Sequence, residues 1–413
     1  MQVKTIVLTA ALSMAPGLLH AQFDFKLAGR PVQVHSFASQ GFAYSNQNNY
    51  LTMNTSRGAF SLTDFGANVS MSVTDRFRMG AQLYSYNAGE LGNYRAQPDW
   101  AVADYRFKDW FGVRGGKIKT ALGLFNDTQD NEFLHTFALL PQSTYPIDQR
   151  GETIAHIGGD IYGTIPVRKL GSLSYTVYGG KRPSDLNGGV VYSLEKTQKV
   201  EAIPLAMYIP ADYAHTVKVG SSTGRAYGAD LRWNLPIKGV LAGVSYFDVT
   251  LNVKGKFVAD NRPFELHTRK DHTVGYYVEY SIGNLRLDGE YRRQLRYAQR
   301  TLPVLQPVLN RDSRFGYVSA SYRLWKWLEV GTYHSRYYLF WQLPHSLPGN
   351  HVFDQTVTAR FDLRSYLDLK VEGHFIDGNM TASANNRGFY TPVNQNGLKP
   401  TTNMLVIRLG FHM

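Results

Sequence analysis

The sequence predicts an all-β protein: a transmembrane, antiparallel, up-and-down β-barrel of about sixteen strands. Three observations predict it. At the C-terminal end Leu405, Ile407, Leu409, Phe411 and Met413 are apolar at every second position, with Val406, Arg408, Gly410 and His412 between them. That period fits a strand with one face in an apolar medium and the other facing a polar interior. The same alternation recurs along the chain, and its connections alternate between short and long.

Residues 1–21 read as a secretion leader: Lys4 gives the charged start, residues 6–19 the apolar stretch, and Leu19-His20-Ala21 the cleavage site. A membrane anchor is the alternative, but the stretch is short and broken by Pro16 and Gly17. No later run reaches the ~18 apolar residues of a spanning helix. The barrel domain is then expected over residues 22–413. Alternating segments place strands at 32–45, 60–73, 77–87, 99–107, 110–119, 153–165, 172–181 and 225–235. They continue at 240–253, 268–282, 285–297, 313–324, 328–339, 351–364, 367–377 and 403–411. Tight turns such as Thr74-Asp75-Arg76, Gly283-Asn284 and Ser365-Tyr366 alternate with long polar connections at 46–59, 89–98, 120–152, 182–224, 255–266, 298–312, 340–350 and 378–399. Short turns on the periplasmic side and long loops outside are the asymmetry of bacterial barrels. The loops 120–152 and 182–224 are too long for hairpin tips and are expected to carry function.

Aromatic residues fall near the short turns (Phe77, Phe107, Trp110, Phe111, Trp233, Trp325, Trp327, Tyr366, Phe411) and near the long loops (Tyr44, Tyr84, Tyr86, Tyr337, Tyr338, Phe340, Trp341). Two such sets are expected as belts at the two membrane interfaces. Mean hydropathy is only −0.29. That value does not argue for a soluble protein, because the inward half of each barrel strand is polar. The 27 Tyr and 38 Gly favour sheet over helix. Zero cysteines exclude disulfides and thiolate metal sites.

The charges take the other face. Leu285, Leu287, Gly289 and Tyr291 alternate with Arg286, Asp288, Glu290 and Arg292; Val357, Ala359, Phe361 and Leu363 alternate with Thr358, Arg360, Asp362 and Arg364. Lys370, Arg408 and Arg232 fall on the same face of their strands. A lipid-facing Arg or Lys at the bilayer midplane costs about 2–4 kcal/mol, so these side chains are expected to line the lumen. A soluble sandwich with a solvated face is the competing architecture; it leaves the short and long loop alternation unexplained. The net charge of +12 is spread at strand spacing, with no nucleic-acid-binding pattern. The expected counterparts are outer-membrane lipid, lipopolysaccharide and small anionic solutes, since basic rings lower the barrier for anions.

The stretches 32–51 and 113–150 resemble a family of Gram-negative porin-like outer-membrane proteins, similar in turn to phosphate-selective porins. The motifs are Arg114-Gly115-Gly116-Lys117-Ile118-Lys119, then Gly123-Leu124-Phe125-Asn126-Asp127 with Asp130, then Leu140-Pro141-Gln142-Ser143-Thr144-Tyr145. Asp104-Tyr105-Arg106 and the strand ending at Phe411 also fit. Two features depart from the family: Met413 ends the chain where an aromatic is usual, and Thr120-Ala121 stands where proline is common. The resemblance implies a barrel narrowed by the loop 120–152, with Asn126, Asp127, Asp130 and Glu132 at the constriction, and an anion preference in which phosphate is one candidate. Gly115, Gly116 and Gly123 would let the backbone turn inward. Arg114, Lys117 and Lys119 are then expected to face Asp127, Asp130 and Glu132 across the opening. Trimer formation is expected by analogy with sixteen-stranded porins alone.

Other chemistry is weak. Asp127, Asp130 and Glu132 lack calcium-loop spacing; a salt bridge to Lys117 or Lys119 is the expected use. Gly220-Ser221-Ser222-Thr223-Gly224-Arg225 lacks the lysine of a phosphate loop. His35 lies near Ser36 and Ser39, but no Gly-x-Ser-x-Gly turn exists. The expectation is a passive diffusion channel at the cell outer membrane, with no catalysis, cofactor or metal. An outer-membrane lipase or protease and a plugged adhesive barrel are the alternatives.

Overall fold

The computed structural model describes residues 23–27, 29–196, 217–258, 260–300, 308–380, 388–390 and 393–413. The leader expected at 1–21 lies outside them. Alternation becomes strands β1 (Phe23–Leu27), β2 (Arg30–Ser45), β3 (Ala59–Ser72), β4 (Phe77–Ala88), β5 (Gln97–Lys108), β6 (Phe111–Lys119), β7 (Ala155–Pro166), β8 (Ser172–Lys181), β9 (Val217–Thr223) and β10 (Arg225–Asn234). They continue as β11 (Val240–Val249), β12 (Leu251–Phe257), β13 (Pro263–Ile282), β14 (Leu285–Arg300), β15 (Val308–Trp325), β16 (Leu328–Tyr338), β17 (His351–Arg364), β18 (Leu367–Asp377) and β19 (Thr401–His412). Each pairs antiparallel with its neighbour, and β19 returns to β2 with Phe411 opposite Ala38 and Leu405 opposite Tyr44.

Among the described residues the sheet holds 19 strand segments. One is β1, a short strand that pairs with β2 below the C-terminus. Two wall strands are each split in two: β9 and β10 at Gly224, β11 and β12 at Thr250. The wall is therefore sixteen strands around, as expected. A Cβ at position 224 would sit 2.0 Å from the Thr250 carbonyl oxygen, so the two breaks meet where only glycine fits. Met413 extends the seam with both backbone hydrogen bonds to Ser36.

The outer surface is apolar at mid-height. Val177 on β8 is 52% exposed, and its register partners are Ile161 and Ala229. Near the short turns the outward aromatics form a girdle: Phe107 stacks on Phe111 at 5.2 Å, Trp325 on Trp327 at 5.5 Å, and Tyr366 meets Phe411 at 5.9 Å. The second belt differs from expectation. Tyr84, Tyr86, Tyr337 and Phe340 are buried inside the barrel mouth, while Tyr44 and Tyr338 do face outward. The cause is parity: Tyr84 and Tyr86 share a face with inward Gln82, and exposed Leu83 takes the outer one.

The connection 182–224 and the hairpin at 255–266 also differ from expectation, because the wall continues above the membrane as β9, β12 and the upper part of β13. There the lining is inverted. Val217, Val219, Val253, Phe257, Phe264 and Leu266 point inward onto Val190 and Val191 of a helix, α1 (Gly189–Lys196), and the outer face is polar. β14 and β15 extend likewise into 298–312. Further round, the loops carrying Leu51, Leu91, Phe389 and Tyr390 pack with Leu139 into one apolar cluster inside the mouth.

A lipid-facing position must reject charge. Val177→Arg is expected to lower unfolding stability in lipid vesicles by about 2–4 kcal/mol. A change under about 0.5 kcal/mol would place Val177 away from lipid.

Candidate functional site

The site is the loop 120–154 and the wall it touches. At its neck Thr120 N–H donates to the Ile154 carbonyl at 2.9 Å, and the Asn126 amide bridges the carbonyls of Thr120 at 2.8 Å and Thr153 at 3.1 Å. Asn126 thus ties both ends of the loop together. Gly123 follows with φ +70, and a Cβ there would lie 2.2 Å from Glu290 Oε1, so the chain can press against the far wall only as glycine.

From there the loop crosses the lumen, and wall cations take its carbonyls. Arg232 donates to Gly123 O at 3.0 Å, Arg292 to Leu122 O at 3.2 Å, and Arg360 to Phe133 O at 2.6 Å and His135 O at 2.9 Å. Lys370 donates to Glu132 O at 2.7 Å and Arg408 to Ala138 O at 2.8 Å. Wall carboxylates take its donors: Glu372 accepts from Ala138 N at 2.8 Å and Leu139 N at 3.0 Å, Glu329 from Thr136 at 2.6 Å, and Glu290 from the Tyr145 hydroxyl at 2.5 Å. Each bond matters because a buried backbone group without a partner costs about 1–3 kcal/mol.

The expected lining cations therefore divide. Arg232, Arg292, Arg360, Lys370 and Arg408 clamp the loop. Arg286 pairs with Glu279 at 2.7 Å and lies 5.1 Å from the Phe125 ring. Lys119 reaches Asp130 at 2.9 Å. Arg114 stays on the wall with Asp160 at 2.8 Å. Two differ from expectation. Arg364 is an exposed residue at a periplasmic turn. Lys117 falls on the outward register between Ala101 and Ile157 and donates to Pro98 O at 2.7 Å, because Gly116 and Lys117 take opposite faces.

The expected constriction acids divide too. Asp130 is held by Lys119 and by Gln82 at 2.6 Å, whereas Glu132 pairs across the lumen with Lys370 rather than with the basic strand beside the loop. Asp127 offers its backbone carbonyl to Lys119 at 2.8 Å. Burial raises the Asp130 and Glu132 carboxyls, but Lys119 and Lys370 respectively outweigh it and hold both below the ordinary range. Sequence reasoning missed Arg150, which joins Asp99 at 2.7 Å and packs 3.7 Å from the Tyr84 ring, and it named Glu290 only as lining. For Glu290 and Glu372 inward strand parity was the available signal; Arg150 sits in a helical turn and offered none.

Two small cavities lie between loop and wall. One cavity of about 60 Å³ is lined by Arg182, Arg292 and Arg296 with Asn126, Gln129, Gln149 and Gln294. No carboxylate lines it; Glu152, Glu290 and Asp271 pair those arginines from behind. A second, of about 40 Å³, has mixed charge: Asp64, Glu132, Arg150 and Arg408.

No model of a protein family and no curated protein matches the sequence. Among solved structures the chain is similar to OmpT, an outer membrane protein of Vibrio cholerae (8% identity, 94% of this chain, 99% of that chain, TM-score 0.52). It is similar also to the outer membrane channel DcaP of Acinetobacter baumannii (10% identity, 95% and 100% covered, TM-score 0.54). A third is an anion-selective porin from Comamonas acidovorans (11% identity, 93% and 100% covered, TM-score 0.53). The likeness establishes the fold, the closed transmembrane barrel of outer-membrane porins.

The loop carries a titrating group. His135 Nε2 lies 3.0 Å from the Thr128 carbonyl, so it carries the proton of a neutral ring, and burial pulls its pKa from 6.5 down to about 4. An imidazole that is harder to protonate when docked favours docking fully above pH 6.5 and progressively less as pH falls to about 4. Protease cleavage of the loop in the intact barrel is expected to rise across that window. In His135→Asn the rise should vanish; an unchanged pH response would remove His135 from the docking equilibrium.

Proposed function

We propose that the chain is an outer-membrane porin that passes small anionic solutes by passive diffusion along the seam between the inward loop and the wall. The observation that carries this reading is the cavity faced by Arg182, Arg292 and Arg296 with no carboxylate on its surface. Convergent guanidinium groups at a narrow, low-dielectric point raise local anion concentration and oppose cations. The side-chain amides and hydroxyls around them replace part of a solute's water shell. Phosphate matches the forked geometry of arginine, and it is the first solute to try against chloride.

The fold neighbours support the channel reading, one of them being described as an anion-selective porin. Another is described as a trimer form (10% identity, TM-score 0.50), which supports a homotrimer for this chain as a proposal of the same rank. Among the described residues, the cluster around His374 bears on the enzyme alternative. Thr356 and Asp354 lie 3.0 and 2.9 Å from His374 Nδ1, and Glu372 lies 3.0 Å from Nε2. The histidine is 1% exposed and has carboxylates on both sides, so a substrate has no place beside it. The cluster braces the wall carboxylate that holds Ala138 and Leu139.

Reversal potentials across planar bilayers in a KCl gradient test the reading. Anion selectivity is expected, and Arg296→Gln should lower the anion-to-cation permeability ratio at least twofold while leaving the barrel folded. Cation selectivity of the unmodified protein would overturn the anion preference, and absence of stable conductance steps would favour a plugged barrel.

A further inference from the structure

The lumen explains the inward charges but not a row of outward ones. Register places Lys181 on β8 directly opposite Arg225 on β10. Both are exposed. The backbone link between Arg225 and Thr250 carries the row across β11 to Lys270 and Arg269 on β13. Among the described residues, none of these four cationic side chains makes an ion pair or a hydrogen bond. Other outward arginines near the rim are engaged: Arg293 with Asp312 at 2.8 Å, Arg336 with His334 at 2.9 Å. The nearby Asp248 is buried and bound by the Tyr246 hydroxyl at 3.1 Å. Like charges opposed across adjacent strands repel, so the row is destabilising unless an anion bridges it.

Height and the surface beneath name the anion. Arg225 stands nine residues above the β10 end at Asn234, which at ~3.3 Å per residue and a ~40° tilt is about 23 Å. An apolar band is about 25 Å tall, so the row lies at the outer lipid headgroups. One register step nearer the periplasm, Gly115, Gly159 and Gly179 sit side by side on β6, β7 and β8. A Cβ at Gly115 would meet nothing within 4 Å, and one at Gly179 only Tyr227 at 3.8 Å. This is a shallow trough open to the membrane, bordered by Val113, Ile161 and Val177 below.

We propose that this face binds a phosphorylated glycolipid of the outer leaflet, its phosphates bridging Lys181, Arg225 and Lys270 and an acyl chain lying in the glycine trough. The inference rests on the outer-membrane reading but not on solute selectivity. Charge complementarity selects this occupant over a second copy of the chain, whose identical cationic row would repel it.

The test is native mass spectrometry of the full barrel in non-ionic detergent, titrated with hexa-acylated diphosphoryl lipid A, its dephosphorylated form, or inorganic phosphate. Diphosphoryl lipid A should bind, the dephosphorylated form at least tenfold more weakly, and millimolar phosphate should not displace it. The Lys181→Ser, Arg225→Ser, Lys270→Ser triple variant should lose tenfold or more. A charge-matched control at the periplasmic turns (Arg76→Ser, Lys169→Ser, Lys326→Ser) should bind normally. Heat-modifiable gel migration checks that each barrel has formed. Gly115→Leu, which keeps every charge and fills the trough, should also weaken binding and serves if the triple variant does not fold. Equal loss in the periplasmic control, or unchanged affinity in the triple and Gly115 variants, would overturn the proposal. So would a changed oligomeric state with lipid binding intact, which assigns the face to a second copy.

Discussion

The interior of this barrel is governed by the need to satisfy peptide groups away from bulk water. Residues 120–154 bring a polar backbone into a cylinder whose centre offers little solvent. The wall answers with ionised side chains, cations to carbonyls and carboxylates to amides. Hydrogen bonds to charged groups are worth more than neutral ones, about 1.5–3 kcal/mol, so a few such clamps can hold an irregular segment across an opening. Lys370 and Glu372, two residues apart on β18, show the division of labour: one holds the Glu132 carbonyl, the other the amides of Ala138 and Leu139. Narrowness, and any selectivity that follows from it, are consequences of that anchoring.

Mutual pairing within the wall keeps the charges affordable. Arg292 faces Glu290 at 2.5 Å, Arg408 faces Asp64 at 2.6 Å, and Arg323 bridges Glu329 and Asp362. A chain with a large net positive charge thus has a largely neutralised lumen. What distinguishes one cavity from another is which partner turns toward the open space. At the Arg182, Arg292 and Arg296 cavity the cations do, and at the Asp64 and Arg408 cavity both signs do.

The strand count and the closure of the barrel were legible in the sequence, and the inward loop through the family resemblance of 113–150. Period-two alternation and turn spacing are local signals, and 351–364 and 367–377 match the observed strands end to end. What alternation does not carry is the identity of the medium on each side. Val217, Val219 and Phe257 alternate as faithfully as Leu405 and Leu409, yet they face a packed mouth rather than lipid. Aromatic residues near long loops were assigned to a membrane belt for the same reason, although Tyr84 and Tyr337 are core. In the site, inward parity correctly selected Arg292, Lys370 and Arg408. Their partners were hidden, because pairing such as Lys370 with Glu132 joins residues far apart in sequence; Lys117, three residues from Arg114 in an unbroken register, takes the opposite face by parity alone.

The account stands on the loop being docked inside the cylinder in the resting protein. The chain has no cysteine, so a single one at Ala138, which is 2% exposed and anchored on both sides of its peptide, reports directly. A membrane-impermeant maleimide applied from the outside should leave Ala138→Cys unlabelled until the barrel is denatured. Rapid labelling of the folded protein would contradict the docked loop and everything derived from it.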